Sequence, residues 1–439
     1  MIFFVYTSES ATSITERLGL PDYSYFFVME KFLPVLAKLG RVIILKTLAD
    51  VDAQFAAHSA LGRAVVLLSF TPPHRTPVGL RCPTFPVFAW EYSTIPSEAW
   101  GNDPRQNWAQ VLGGMRGAIT HSLFAADAVK SANGASYPVI SVPAPLWNQY
   151  QRSYRPRKPS ARGRPWILEI EKGVVLDSRA QGLEHSPIAD TPSFTPSSRR
   201  LALDGIIYTS VFNPNDGRKN WLDLVTAFCF AFRDNPAATL VLKLVYCDDA
   251  FACGMVWHEM KKLAPYRCRV VAVQGYLSDG AYRRLVANTT YIVNSAYGEG
   301  QCLPLMEFMS AGKPAIAPNH TAMVEYVNEH NAFVVGSSAE WTHWAHDPRL
   351  LLRAFRYRID WQSLRDAYLS SYAVAATQPH RYLRMSKSAS DALREHCERG
   401  VAVRRLKAFF QAQGFSPAYR PLINAYYAVG RRVIELWKR

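Results

Sequence analysis

The chain has 439 residues, room for two or three domains, and 49% of them are apolar against 19% charged, a balance that builds packed cores and excludes a disordered chain. Lys and Arg number 50 against 35 Asp and Glu, a formal net charge of +15, so an anionic partner is expected: a phosphate-bearing ligand, nucleic acid or an acidic membrane surface. No uncharged apolar run approaches the ~20 residues that span a bilayer, MIFFVYTSES lacks the basic start of a secretory leader, and seven cysteines without a CxxC pair or zinc-ligand spacing fit a reducing cytosol.

Short apolar runs and helical patterns alternate from the start. Ile2–Tyr6 reads as a buried first strand, Tyr25–Leu39 as a helix, and Arg41–Leu45, Ala64–Phe70 and Phe85–Trp90 as strands. Ala118–Thr120 leads into a helix over Ser122–Ala132 that Ser122 can cap, and Tyr137–Pro143 is a further short strand. Strands buried on both faces and separated by helices imply parallel βαβ units. Residues 151–200 break the rhythm with the basic, proline-rich QRSYRPRKPSARGRP and with ADTPSFTPSSRR, so a linker or an irregular insertion is expected there.

The alternation then restarts. Strands are expected at Gly205–Phe212, Ala238–Val245, Cys268–Val273, Tyr291–Asn294 and Ala315–Ala317, with helices at Asn220–Asp234, Trp257–Leu263, Asp279–Ala287 and Pro304–Ala311. The fold class is therefore α/β: two doubly wound, Rossmann-like domains facing a central cleft, where ligands of open α/β sheets bind. The expected organisation is a first Rossmann-like domain over 1–150, the basic Pro/Ser-rich linker or insertion over 151–200, a second over 201–375 and a helical tail over 376–439. That tail ends in RPLINAYYAVGRRVIELWKR, a basic amphipathic pattern that suits either an acidic membrane surface or docking on its own domain.

The stretch NSAYGEGQCLPLMEFMSAGKPAIAP (294–318) carries the most chemistry. Pro304 suits the first position of a helix, Gly312 its end, and the amides of Gln301, Cys302 and Leu303 then lie at a helix N-terminus that favours anions. Glu299 and Glu307 flank that site. Carboxylates repel phosphate, so they suit hydroxyl groups instead; alone, Glu307 could equally be a dipole partner in the first helical turn. In SVFNPNDGRKNW (210–221), Arg218 and Lys219 are expected to open a helix, where cations oppose the dipole unless they serve a phosphate, the alternative being a solvated pair.

With these residues in view, the C-terminal half resembles the nucleotide-sugar domain of GT-B glycosyltransferases, the large retaining class numbered family four. The resemblance rests on the E-x7-E pair Glu299/Glu307, on GKPAI, on Arg218–Lys219, on GYLSDGAYRRLV (275–286) and on HTAMVEYV (320–327), and covers about 203–337. It implies that Glu307 holds the donor ribose, that Glu299 contacts the donor sugar, and that Arg218 and Lys219 bind the leaving diphosphate. The amides of Gly300, Gln301, Cys302 and Leu303 share the diphosphate, and Gln274, Gly275, Tyr276 and Leu277 face the base. The sequence departs from that class in the glycine-free first loop TSESATS (7–13) and in Glu91, which stands about where a histidine is usual and could accept the acceptor's proton, hold a sugar, or simply bond to backbone. His121 and His74 are weaker choices for that role. Trp90, Tyr92 and Trp100 could line an acceptor groove or pack a core.

The function implied is retaining, metal-independent transfer of a sugar from a nucleoside diphosphate sugar to an acceptor hydroxyl of a glycan, glycolipid or lipid-linked sugar. Polysaccharide biosynthesis in the cytoplasm, peripheral on the inner membrane face, is the setting this suggests. An epimerase or phosphorylase on the same plan, and a non-catalytic nucleotide-sugar scaffold, are the alternatives. No cofactor, metal or nucleic-acid partner is expected, and the Asp50–Asp52 pair of a DVD reads as a loop rather than a metal site. Base, sugar, acceptor and oligomeric state are not legible.

Overall fold

Runs that are apolar on both faces suit strands covered on both sides. The computed structural model describes residues 1–8, 23–161, 163–180, 193–345 and 347–416. Their contacts divide them into two units: Met1–Pro145 with Trp341–Phe355 and the chain from Cys397, and Leu146–Glu340 with Arg356–His396.

In the first unit β1 (Ile2–Tyr6), α1 (Tyr23–Leu39), β2 (Arg41–Ile44), α2 (Val51–Ala60), β3 (Val65–Ser69), β4 (Thr84–Phe88), α3 (Trp108–Gly113), β5 (Ala118–Thr120), α4 (Leu123–Asn133) and β6 (Val139–Ser141) follow one another. The strands form an all-parallel sheet in the order β2-β1-β3-β4-β5-β6. Ser122 caps α4 as expected, its Oγ accepting the Ala125 N–H at 3.1 Å. Asp50 and Asp52 do not form a loop. Asp50 is the N-cap position of α2, and Asp52 in its first turn accepts the N–H groups of Arg81 at 2.9 Å and Cys82 at 3.1 Å. Main-chain donors thus occupy this carboxylate.

The second unit contains α5 (Trp147–Tyr150), β7 (Trp166–Asp177), β8 (Ser197–Leu203), β9 (Ile206–Phe212), α6 (Trp221–Ala231), β10 (Ala238–Leu244), α7 (Asp249–Leu263), β11 (Arg269–Gln274), α8 (Asp279–Asn288), β12 (Tyr291–Val293), α9 (Leu303–Ser310), β13 (Ala315–Ala317) and β14 (Ala332–Val334). Its sheet runs β14-β13-β12-β9-β10-β11-β7-β8, with β9 to β14 parallel and β7 and β8 antiparallel. Chain order proceeds outward from β9 to β10 and β11 on one side, and from β12 to β13 and β14 on the other. The switch point therefore lies between β9 and β12.

The stretch 151–200, expected as a linker or irregular insertion, holds β7 and β8. In β7, Leu168 and Ile170 are buried between exposed Glu169 and Glu171, the period of two that drives a strand. The region after 348, read as helical, likewise holds a strand. β15 (Ser337–His343) pairs with β16 (Arg353–Ile359), where Arg353, Arg356 and Arg358 interrupt apolar residues too often for a helix face. α10 (Trp361–Thr377), α11 (Pro379–Cys397) and α12 (Arg399–Ala412) follow. In the second unit's core the buried phenols of Tyr208 and Tyr291 both find partners on Ser371 of α10, at 3.1 and 2.8 Å. In the first unit Phe410 of α12 packs on Phe3 and Phe85, with ring centroids 5.4 and 5.5 Å apart.

The amphipathic end RPLINAYYAVGRRVIELWKR and most of the loop TSESATS lie outside the described residues. Among the described residues no helix is long and apolar enough to cross a membrane.

Candidate functional site

The loops that follow β9 and β12 are neighbours across the switch point, and they carry the residues singled out in the sequence. After β9, Asp216 accepts the Arg218 N–H at 3.1 Å and caps a 3₁₀ turn, Gly217–Lys219. Asn220 then takes a left-handed φ of +48° before α6 begins at Trp221. Arg218 and Lys219 therefore do not open α6, as the sequence reading has it; a separate turn just before it presents them.

After β12 the chain delivers Glu299, which is 4% exposed. Lys219 Nζ donates to its Oε1 at 2.8 Å and Oε2 at 3.0 Å, Arg218 donates to Oε2 at 3.1 Å, and Asn294 to Oε1 at 3.2 Å. Arg218 also donates to Gly298 O and to Asp216 Oδ2, the latter at 2.9 Å. Burial alone would raise the pKa of Glu299. The charges of Lys219 and Arg218, with hydrogen bonds from Lys219 and Asn294, outweigh it and hold the carboxyl at about 2. The Glu299 N–H donates to Thr321 Oγ1 at 3.0 Å, and its carbonyl accepts from Ala322 at 3.2 Å, tying this loop to the one after β13.

α9 begins immediately beyond. Cys302 occupies the N-cap position with a φ of +58°, Leu303 is the first helical residue and Pro304 the second, one place later than expected. The first N–H groups of a helix have no intrahelical acceptor, so Cys302 and Leu303 sit where main-chain donors gather. Gly312 ends the helix with a φ of +71°, its N–H bonding to Met309 O and that of Lys313 to Phe308 O, a Schellman closure. Glu307 is in the second turn of α9, not the first, too far along for the dipole-partner reading. Its two oxygens instead accept tyrosine hydroxyls, Tyr150 at 2.9 Å and Tyr282 at 2.6 Å.

Three non-glycine residues of left-handed φ, Asn220, Cys302 and Thr321, thus belong to the three loops around Glu299. Backbone strain of this kind concentrates at functional sites. His320, stacked on Tyr357 with centroids 4.5 Å apart, is 6% exposed, and burial lowers its pKa to about 4.

The loop after β11 and the first unit hold the other expected residues. In the stretch expected to face the base, Gln274 is buried and donates to Tyr246 O at 2.6 Å and Asp249 at 2.9 Å. Gly275 has a φ of +111°, with any Cβ 2.8 Å from Lys172 O; Leu277 is buried and Tyr276 is 47% exposed. In the first unit Glu91 is half-buried beyond β4. Trp90 and Tyr92, 4% and 7% exposed, pack in an aromatic cluster with Trp108 and Trp344, the Trp90 and Trp108 centroids lying 4.6 Å apart. Trp100 is half-buried, with the Arg349 guanidinium 5.1 Å over its ring. His121 is buried and bonded to Val142 O at 2.9 Å, and His74 is stacked on Trp108. Among the described residues no group of three or more His, Cys, Asp or Glu is placed to hold a metal ion.

Sequence reasoning did not find Tyr150, Tyr282, Asn294, Thr321 or Asp216. Tyr150 and Tyr282 are 157 and 25 residues from Glu307, and no local pattern connects them.

No protein-family model and no curated protein matches the chain. Solved structures do. Anabaena Alr3699/HepE, in complex with UDP, matches with a TM-score of 0.54 and 12% identity over 94% of this chain and 99% of its own. Sucrose-phosphate synthase from Thermosynechococcus elongatus gives 0.54 and 12% over 94% and 98%, and a glycosyltransferase from Rickettsia africae 0.53 and 11% over the same shares. The chain spans only 55% and 59% of two longer matched proteins, S. aureus TarM and the pneumococcal O-GlcNAc transferase GtfA, at 9% and 13% identity and a TM-score of 0.46 for each. The chain has the GT-B fold of glycosyltransferases, as its sequence pattern leads one to expect.

Proposed function

We propose that the chain is a retaining glycosyltransferase that moves a sugar from a nucleoside diphosphate sugar to an acceptor hydroxyl, with side-chain cations in place of a metal on the diphosphate. One observation carries the reading: Arg218 and Lys219 converge on Glu299 at the β9/β12 switch point, beside the start of α9. Arg offers a planar fork and Lys a point charge, both suited to phosphate oxygens as well as to Glu299. A sugar–diphosphate bond breaks through an oxocarbenium-like state in which charge builds on the leaving phosphate. Fixed cations and main-chain donors lower that barrier, and as Lys219 or Arg218 turns to phosphate, Glu299 gains acceptor capacity for hydroxyls of the sugar. Glu307 would hold the ribose, and the loop at Tyr276 would meet the base. UDP is the nucleotide named with HepE and is the first to try. No side-chain nucleophile is needed if the acceptor attacks from the face the phosphate leaves, the phosphate taking its proton.

In the first unit, Glu91 and Trp100 are the residues proposed for the acceptor, a glycan or lipid-linked sugar at the inner membrane face. The domain roles proposed are acceptor binding before residue 150 and donor binding over 201–375.

The test is a transfer assay on nucleoside diphosphate sugars with product anomers read by NMR. Arg218→Ala and Lys219→Ala should each cut turnover at least a hundredfold, an order set by the loss of one charged transition-state contact, and Glu307→Ala should cut transfer by weakening donor binding. Unchanged turnover in all three rejects the assignment. Vesicle co-sedimentation that survives truncation at Gln413 rejects the membrane role of the tail.

A further inference from the structure

The hairpin of β15 and β16 exposes apolar side chains that its own unit does not use. Trp344 N–H donates to Leu352 O at 3.0 Å, the rings of Trp341 and Phe355 have centroids 4.1 Å apart, and Arg356 Nε donates to Glu340 at 2.6 Å. One antiparallel register accounts for all three pairs, and side chains of such a ribbon alternate between two faces. Trp344, Ala354 and Leu352 belong to the cluster around Trp90 and Trp108, which makes theirs the inner face. Trp341, His343, Arg353 and Phe355 share the outer one, where Trp341 is 67% exposed and Phe355 half-buried.

The loop between the strands carries Leu350 and Leu351, 53% and 58% exposed. Asp347, fully buried, fixes its shape by accepting the N–H groups of Arg349 at 3.0 Å, Leu351 at 3.1 Å and Leu352 at 2.9 Å. Leu350 takes a left-handed φ of +53°, strained for a leucine. Thr94 Oγ1 donates to Arg353 O at 2.6 Å and Phe355 N–H to Ser93 Oγ at 3.1 Å, which fasten β16 to the loop beyond β4. Three large apolar residues, each more than half exposed, thus fall within the eleven residues 341–351 on a firmly built support. Scattered exposed hydrophobes need no explanation, but a cluster marks an interaction surface.

Charge names the partner. Asp347 is the only carboxylate in the sequence from Trp341 to Phe355, and it is buried. Glu98 pairs with Arg349 at 3.0 Å, whereas Arg353 donates to Leu350 O at 2.8 Å, which sets its positive charge beside the leucines. Leucines for an apolar interior, a tryptophan for its boundary and a cation for phosphate are what an acidic lipid leaflet takes. A second copy of the chain fits worse, because an isologous contact brings a cationic patch onto its own copy. We propose that this hairpin docks the first unit on an acidic membrane, with Trp341, Leu350 and Leu351 entering the leaflet and Arg353 meeting its phosphates. The proposal rests on the membrane setting given under the proposed function and assigns the contact to this hairpin as well as to the tail.

Co-sedimentation of the full-length chain with phosphatidylcholine vesicles, with and without added phosphatidylglycerol, tests it. The wild type should bind the acidic vesicles roughly tenfold or more tightly than the neutral ones. Leu350→Ser combined with Leu351→Ser should weaken binding to the acidic vesicles about tenfold or more, because two apolar side chains no longer leave water. Arg353→Gln should cost about threefold or more on acidic vesicles and less than about twofold on neutral ones. A leucine variant that binds like the wild type overturns the hairpin and leaves the membrane setting to another element. A wild type that binds neither vesicle overturns both. Equal losses on both vesicles for Arg353→Gln overturn the phosphate contact. If the leucine variant instead dissolves a dimer seen by sedimentation velocity and binds vesicles unchanged, the face joins two copies and the proposal is wrong. Thermal melts check folding, and should the leucine variant melt early, Trp341→Ser decides, with a loss of about threefold or more expected on the acidic vesicles.

Discussion

Lys219 and Glu299 are 80 residues apart in the chain, and their charged atoms meet at 2.8 Å. Arg218 reaches the same carboxylate at 3.1 Å. Two cations side by side repel each other, and one buried carboxylate relieves that repulsion while itself needing both of them. Each of the three is costly in this place without the others, which makes the cluster a single electrostatic unit.

The cluster should therefore respond non-additively to mutation. Lys219→Ala leaves Glu299 with Arg218 and Asn294 and should destabilise the fold by about 1–3 kcal/mol. Removing Arg218 as well leaves a buried anion with no cation, a loss of about 3–5 kcal/mol. Glu299→Gln on the double-variant background should recover most of that loss, because the charge that needed compensation is gone. Urea unfolding of the set measures the coupling, and simple additivity contradicts it.

Acid should unfold the protein in two windows. His74, His121 and His320 have folded pKa values lowered by burial to about 4 from 6.5. The unfolded chain then binds more protons, and stability falls as pH drops from about 6.5 towards 4. Glu299 is depressed from 4.5 to about 2, so its contribution is intact above 4.5 and is lost as pH falls through 2. Comparing wild type with Glu299→Gln from pH 6 to 2 isolates the second window. Their stability difference should shrink only below about pH 4.5, and a difference that stays constant to pH 2.5 contradicts the cluster's electrostatics.

Transfer should also survive chelation. If Arg218 and Lys219 neutralise the diphosphate, dialysis against EDTA should change turnover by less than about twofold, since fixed charges do the work otherwise given to a divalent ion. Loss of activity that magnesium or manganese restores would place a metal on the diphosphate and refute the metal-free part of the proposal.

What could be read from the sequence divides along physical lines. Ile2–Tyr6, Ala118–Thr120 and Ala315–Ala317 are strands with the bounds the sequence suggests, because uninterrupted apolar runs between turn residues leave little choice. β7 and β16 escaped because charged residues interrupt their apolar ones and their neighbours are proline- or arginine-rich; only the period of two marks them. In the candidate cluster, Glu299, Glu307, Arg218 and Lys219 stand out by residue type within a pattern that resembles the GT-B class, the spacing alone being a weak mark. The hydrogen bonds that hold them do not, since Tyr150, Asn294 and Thr321 act through tertiary proximity alone. The αL turn at Asn220, which separates the cations from α6, likewise has no strong sequence mark.

Gly312 gives the sharpest test of how the second unit holds α9. Its φ of +71° already disfavours any side chain, and an added Cβ would stand 2.3 Å from Tyr154 Cε2 and 3.0 Å from Ser386 Oγ. Gly312→Ala must move the Tyr154 ring and strain the helix end together, a loss of about 2–4 kcal/mol. Gly254 is the matched control. It lies inside α7 with nothing within 4 Å of where a Cβ would stand, so Gly254→Ala should stabilise by about 0.5–1 kcal/mol through helix propensity. If the Tyr154 contact matters in itself, Tyr154→Ala combined with Gly312→Ala should cost less than the sum of the two single changes, leaving chiefly the φ strain. Chemical denaturation of these four variants settles the question, and equal stabilities for Gly312→Ala and wild type would show that α9 closes in some other way.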